Sequence, residues 1–352
     1  MAEIDAIIGC LLGTAVGDAL GLPFEGLSKR RQHVMYSEIN KYHFLWGRGM
    51  VSDDTEHTCM VAQSLIVSSG DVQKFSQQLA RRLRFWLLGL PAGVGFATLR
   101  AILKLWLGFS PDCSGVFSAG NGPAMRSAII GVCYGDNPQK LRELVRVSTK
   151  ITHTDPKAEF GALAVAIAAH IASNKIDISP QQYYHIIENL LDSSATEFLE
   201  LIKQAVESAA QQQTTQTFVT QIGLHNGISG YIYRTVPVVI QTWLRHQQNY
   251  QVAILEIIRC GGDSDTAAAI LGGIIGARVG KSGIPPYWLD NLQEWPRTIQ
   301  WMEAVGMRLE RVCDSGKSLQ ALPLPIYGIL LRNICFLVVV LIHGFRRLLP
   351  PY

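Results

Sequence analysis

Two acidic clusters stand far apart in the chain: Ser52, Asp53, Asp54 and Thr55, then Gly261, Gly262, Asp263, Ser264, Asp265 and Thr266. Each sits where a loop runs into an apolar or small-residue helix, and Asp and Ser favour helix starts for capping alone. A single Asp-Asp pair needs no other explanation. Two such clusters, each followed by Thr, admit a second one: if they converge, four carboxylates share one site. Their repulsion must then be relieved by protonation or by cations, and two divalent ions supply the four positive charges that match. The donors are all oxygen, the carboxylates together with the hydroxyls of Ser52 and Thr266. Hard oxygen donors without Cys or paired His favour magnesium, manganese or calcium over zinc. Two such ions roughly 3.5 to 4 Å apart can activate a water and orient an oxygen-rich substrate.

The elements that must position these clusters read as helices. Apolar residues recur at three- and four-residue spacing over Ile7–Leu20, Cys59–Ser68, Val72–Leu88, Ala97–Leu107, Pro123–Tyr134, Pro138–Thr149 and Pro156–Ser173,. Asp155 before Pro156 and Asn137 before Pro138 place a capping residue ahead of a proline in the first turn,. Alternating strand patterns are few, so the fold class is all-α. Gly9, Gly13, Gly17 and Gly21 stack along one stripe of the first helix, and Gly272, Gly276 and Gly280 repeat the device late in the chain,. Such stripes let helices approach closely in membranes, but Asp18 beside one and Asp263 with Asp265 before the other point to a soluble bundle. Asp18 itself is expected to close a buried hydrogen-bond network with backbone amides. Gln211–Thr217 and Ile284–Pro296 read as loops,.

Composition narrows the function classes. Of 352 residues, 48% are hydrophobic and 17% charged, which excludes disorder as the main state,. The net charge of +3 is 31 Lys and Arg against 28 Asp and Glu; Ile326–Tyr352 contributes Arg332, Arg346 and Arg347 with no acid, leaving 28 against 28. The body of the chain is therefore no polyanion binder, and no aromatic interleaving supports nucleic-acid binding. Seven scattered cysteines without C-x-x-C spacing read as reduced core thiols, and no secretion signal is visible, so a cytoplasmic chain is expected,.

Five ordered motifs also resemble a family. GCLLGTAVGDALGLPFEG from residue 9, VSDDT at 51–55, AGNGPAMR at 119–126, THTDPKAEFGALAVA at 152–166 and GGDSDTAAAILGGIIGA at 261–277 are similar to the ADP-ribosylglycohydrolase family, which includes the dinitrogenase-reductase-activating glycohydrolases and the J1-type crystallins. The resemblance implies an all-α domain, placed at residues 1–325, with two divalent cations, magnesium or manganese, at the bottom of a cleft that accepts ADP-ribose. It makes Ser52, Asp53, Asp54, Asp263, Asp265 and Thr266 metal ligands. Glu25 in GLPFEG becomes the acidic residue implicated in ring opening or water activation; as a residue alone it is one Glu after a turn. Asn121, Gly122 and His153 become contacts of the bound ADP-ribose, where the residues alone suggest a turn and a structural histidine. The implied activity is hydrolysis of the glycosidic bond of an ADP-ribosylated protein or ADP-ribosyl metabolite.

The pattern is departed from once. The arginine-cleaving branch carries an acid in the loop that here reads LPAGVGFAT, Leu90–Thr98, with none. Serine-linked ADP-ribose, O-acetyl-ADP-ribose, another conjugate or a non-catalytic, crystallin-like or ADP-ribose-binding role all stay open, as does a two-metal phosphohydrolase acting on the diphosphate. The segment 326–352 lies outside the motifs: fifteen of the twenty residues from Ile326 to Phe345 are apolar, interrupted by Arg332 and Asn333 and flanked by Arg346 and Arg347. A helix packed on the domain or on a second subunit fits, as does a membrane-associated segment anchored by its arginines, since Ile334–Ile342 alone is shorter than the about twenty residues a span needs.

Overall fold

The glycine stripes set the centre of the molecule. In the computed structural model, which describes residues 3–36, 38–44 and 46–349, the N-terminal helix Ile4–Gly21 lies against the helix Ser264–Val279 with backbones in contact. A Cβ on Gly9 would stand 2.0 Å from the Gly276 carbonyl oxygen, one on Gly13 2.2 Å from that of Gly272, and one on Gly17 2.1 Å from that of Ala268. No larger residue fits without moving backbone. Gly131 meets the Ala166 carbonyl oxygen at 1.8 Å in the same construction, so the alanine-rich helix Pro156–Ser173 is drawn in equally closely. Around this centre the remaining helices pack their apolar faces; no strand forms among the described residues, and pairing is limited to isolated bridges.

Capping explains where helices begin. Asp71, Asn137 and Asp155 accept from the amides of Lys74, Lys140 and Lys157, and the helices Val72–Leu88 and Pro156–Ser173 run as their patterns indicate,. Three expectations are corrected. The helix expected from Cys59 starts at Asp53, because its polar first turn, Asp54 to Thr58, is buried. The pattern over Pro123–Tyr134 divides into Gly122–Met125 and Ala128–Tyr134, where Arg126 turns its guanidinium fully inward. The two loops each hold a helix, Thr215–Gln221, anchored by the buried Thr215 hydroxyl on Gln241, and Pro286–Asp290. All seven cysteines are unpaired, but Cys113 and Cys335 are exposed instead of core.

Among the described residues, two helices are long and apolar enough to cross a membrane, Ile4–Phe24 and Ile326–Arg346. The first is 94% buried and is the core helix just described. The second docks through the very residues that interrupt its apolar pattern. Arg332 donates to the Val51 carbonyl oxygen (2.5 Å) and to Glu294 Oε2 (2.8 Å), Asn333 donates to the Gly89 carbonyl oxygen (2.7 Å), and Phe336 is buried beside them. The opposite face leaves Leu331, Ile334, Leu341, Ile342 and Phe345 exposed. Residues 350–352 of the expected C-terminal segment lie outside the described ones.

Candidate active site

The close pairing of the two glycine helices brings the acidic clusters together. Asp18, fully buried on the N-terminal helix, accepts from the Ser52 amide (2.9 Å), the Thr55 amide (3.1 Å) and the Thr55 hydroxyl (2.5 Å). This is the network of amides expected of it, and it fixes the turn that opens the helix Asp53–Ser68. Ser52 then does two things: its Oγ accepts from the Asp54 amide as a helix cap and donates to Asp54 Oδ2. The second cluster is reached across 212 residues of sequence, Thr266 Oγ1 donating to the same Asp54 Oδ2 at 3.2 Å. Asp263 occupies the capping position of its helix yet makes no capping bond; its Oδ2 accepts from Asn121 Nδ2 at 2.6 Å. Capping alone therefore does not account for Asp263.

Glu25 joins from a third direction. Its turn is stitched to the second cluster by the Gly26 amide on the Gly262 carbonyl oxygen (2.8 Å) and the Gly262 amide on the Leu27 carbonyl oxygen (3.0 Å). Gly262 is required there: its φ is 80° and a Cβ would stand 2.0 Å from the Ile228 carbonyl oxygen,. Carboxylate oxygens of Glu25, Asp263 and Asp265 consequently lie within 4.8 Å of one another.

Such crowding is electrostatically costly. Asp53, Asp54 and Asp265 are pushed well above the ordinary carboxylate range, by burial first and by repulsion from neighbouring carboxylates second,. Asp263 is raised by burial, and Glu25 by desolvation and then by the Asp263 charge, which Arg347 opposes. Asp18, raised to about 6 by burial, is held down by the hydrogen bonds it accepts. Two of the buried oxygens, Asp54 Oδ1 and Asp265 Oδ1, have no hydrogen-bond partner. Buried oxygens without partners, in an all-oxygen and strongly negative ring, are the donor set that a hard divalent cation satisfies.

Above the ring opens a cavity of about 740 Å³. Ser52, Asp53, Asp263, Asp265, Thr266 and Glu25 line it, whereas Asp54 lies beneath, 1% exposed. Asn121, Gly122 and His153 line it too. The Gly120–Gly122 turn rides over the His153 ring, where a Cβ on Gly120 would come to 3.0 Å of Nε2 and one on Gly122 to 3.2 Å of Cε1. Burial, with Arg126 adding to it, lowers His153 to about 3, so the ring is neutral. Thr152 Oγ1 accepts from Arg126 at 2.7 Å and lies 2.8 Å from His153 Nδ1. With Thr152 already accepting one proton and its own directed to the Thr149 carbonyl oxygen at 3.5 Å, we assign the proton to Nδ1, leaving Nε2 as an acceptor toward the cavity,.

Sequence reasoning missed other lining residues. The turn Ile228–Gly230 holds both the Gly261–Asp263 turn and Asn121, through the Asp263 amide on the Ile228 carbonyl oxygen (2.8 Å) and the Asn121 amide on that of Gly230 (2.9 Å). Ser229 and Gly230, with Gly227 just ahead of the turn in HNGISG, were the available signal. Phe96, Phe336 and Val340 form the apolar side, and no local pattern distinguishes them from core residues.

The profile of the ADP-ribosylglycohydrolase family matches residues 1–318. An uncharacterized protein of Archaeoglobus fulgidus is 31% identical over 81% of this chain and 90% of its own length. The ADP-ribosylhydrolase ARH3 of Gallus gallus is 28% identical over 82% of this chain and 89% of its own. A solved ADP-ribosylglycohydrolase-related protein complex shares the fold, with a TM-score of 0.57 and 24% identity over 89% of this chain and 99% of that one. With its stacked glycines, its two joined acidic turns and a match that spans nearly all of it, the chain belongs to the ADP-ribosylglycohydrolase family.

Proposed function

We propose that this chain is a hydrolase that releases ADP-ribose from an ADP-ribosylated protein or an ADP-ribosyl metabolite, cleaving the glycosidic bond at the ribose anomeric carbon. The observation that carries this reading is the bond from Thr266 to Asp54, which joins the two acidic turns at the floor of a cavity that Glu25 also enters. We assign Ser52, Asp53, Asp54, Asp263, Asp265 and Thr266 to hold two divalent cations, magnesium or manganese, and the partnerless Asp54 Oδ1 and Asp265 Oδ1 support that assignment. Bound there, the cations supply Lewis acidity toward substrate hydroxyls and lower the pKa of a water.

The protein's own groups do the rest. Glu25 accepts the proton from the attacking water, since its turn brings the carboxylate to the cavity beside Asp263 and Asp265,. His153 Nε2 accepts from a ribose hydroxyl, and the Asn121–Gly122 turn, free of side chains at Gly120 and Gly122, lets the diphosphate approach backbone.

The apolar part of the cavity lining bears on the leaving group. Ala92, Gly93, Gly95, Phe96 and Ala97 contribute no acid there, and Leu22, Phe336 and Val340 complete an apolar surface. A guanidinium leaving group finds no counter-charge on it, so the linkage is read as one through oxygen, to serine or to acetate. A product-resolved screen of arginine-, serine- and acetyl-linked ADP-ribose tests this: release from an oxygen linkage is expected, and release confined to the arginine linkage contradicts it. A non-catalytic reading is disfavoured, since crowded buried carboxylates cost stability that binding or structure alone would not require. We take residues 1–325 as the catalytic domain and 326–352 as an appended segment, and place the chain in the cytoplasm, where its unpaired thiols stay reduced,.

A further inference from the structure

The family match ends at residue 318, but the cavity does not. Along the helix Ile326–Arg346 and its capping residue, positions 332, 336, 340, 343 and 347 follow one another at steps of four, four, three and four, which places them on one face,. Each does something at the site. Arg332 is tied to the carbonyl of Val51, the residue before Ser52. Phe336 and Val340 face the cavity. His343 Nε2 lies 2.9 Å from the Pro23 carbonyl oxygen. Arg347 donates from Nη1 to the Glu25 carbonyl oxygen (2.7 Å) and from Nη2 to that of Pro23 (3.0 Å), while its own carbonyl accepts from Arg31 at 2.5 Å.

We infer that the C-terminal helix is a working wall of the active site: His343 and Arg347 are positioning residues that hold the Pro23–Glu25 turn, and Phe336 and Val340 shape the leaving-group side. The physical reason lies in how little else fixes that turn. Glu25 and Gly26 are exposed, and beyond the Gly26 and Leu27 amide bonds the carbonyls of Pro23 and Glu25 are held by the Arg347 fork, with His343 Nε2 beside it on Pro23. A guanidinium spanning two carbonyls has a fixed geometry that a single donor does not reproduce. Releasing it frees the carboxylate of Glu25 to leave its place beside Asp263 and Asp265 without disturbing the floor.

The role of Glu25 in turnover rests on the proposed hydrolysis; the hold on its turn does not, and the experiment separates the two. Full-length Arg347→Ala, His343→Ala and the double variant are compared with wild type for steady-state release of ADP-ribose and for amide hydrogen exchange at Gly26 and Leu27. Exchange at these amides is expected to quicken by about tenfold in Arg347→Ala. In the double variant kcat is expected to fall about 10²-fold with KM little changed. Arg347→Lys, keeping the charge and one donor, is expected to fall between. Leu341→Ser, on the exposed face, should match wild type in both readouts. Unchanged exchange at Gly26 and Leu27 in the double variant overturns the proposal whatever the activity. Quickened exchange in a chain whose wild type releases no ADP-ribose sinks the proposed hydrolysis while leaving the hold on the turn standing.

Discussion

The floor of the cleft and its outer wall are built by opposite means. The floor depends on residues with almost no side chain: Gly9, Gly13 and Gly17 let two backbones touch, and that contact brings Asp18 and the turn it holds against the Asp263–Asp265 turn. The wall depends on long side chains, Arg332, Phe336, His343 and Arg347, reaching from one helix to carbonyls and apolar residues of the domain. Backbone contact leaves no freedom in the separation of the carboxylates, which suits chemistry. Side-chain contact is replaceable residue by residue, which suits the choice of leaving group.

Breaking the floor should have the largest effect. Gly17→Val places its side chain where even a Cβ meets the Ala268 carbonyl oxygen at 2.1 Å. A loss of about 5 kcal/mol or failure to fold is expected in thermal or denaturant unfolding. Next comes the anchor of the wall. Arg332→Met leaves the buried Glu294 without its cationic partner, holding only the Val51 amide, and a loss of about 3 kcal/mol is expected,. Glu294→Gln in the same chain should restore part of it.

A smaller effect sharpens the electrostatic side of the comparison. Carboxylates raised in the folded state bind protons that the unfolded chain has already released, so stability falls as pH rises from the ordinary carboxylate range through the raised values. Asp18 marks that window at about 6, and Asp53, Asp54 and Asp265 are displaced in the same direction. His153, held neutral by burial, acts in the opposite sense across the same window, so the carboxylate part is read by difference: between pH 5 and 7.5 the metal-free wild type should lose roughly 5 °C more in melting temperature than Asp265→Asn, and millimolar magnesium should shrink that gap,. An equal loss in the two chains would place the Asp265 carboxyl in water instead of in a buried ring. The smallest effect belongs to the outside of the wall, where Leu341→Ser should change stability by less than about 0.5 kcal/mol.

Much of the scaffold is legible in the sequence because its signals are local. Asp71, Asn137 and Asp155 announce helix starts through bonds only two or three residues long, and the four-residue spacing of the glycines is visible without any partner. The acidic turns were legible as candidates, but their convergence was conditional until the resemblance ordered them, since the Thr266–Asp54 bond spans 212 residues. Arg332 shows what a pattern loses. Read along the helix it is a charge that breaks an apolar run; in space it meets Glu294, 38 residues away. The Ile228–Gly230 turn was missed for the same reason, as its work is to carry Asp263 and Asn121, both distant in sequence.

The central claim is that the joined acidic turns exist to release ADP-ribose with divalent cations. It is tested most directly by timing magnesium-dependent release from an oxygen-linked conjugate by wild type, Asp53→Ala and Asp265→Ala, with folding of each checked by thermal melting. The account expects folded variants whose release is slower by about 10³-fold or more. Release at the wild-type rate by both variants would contradict it.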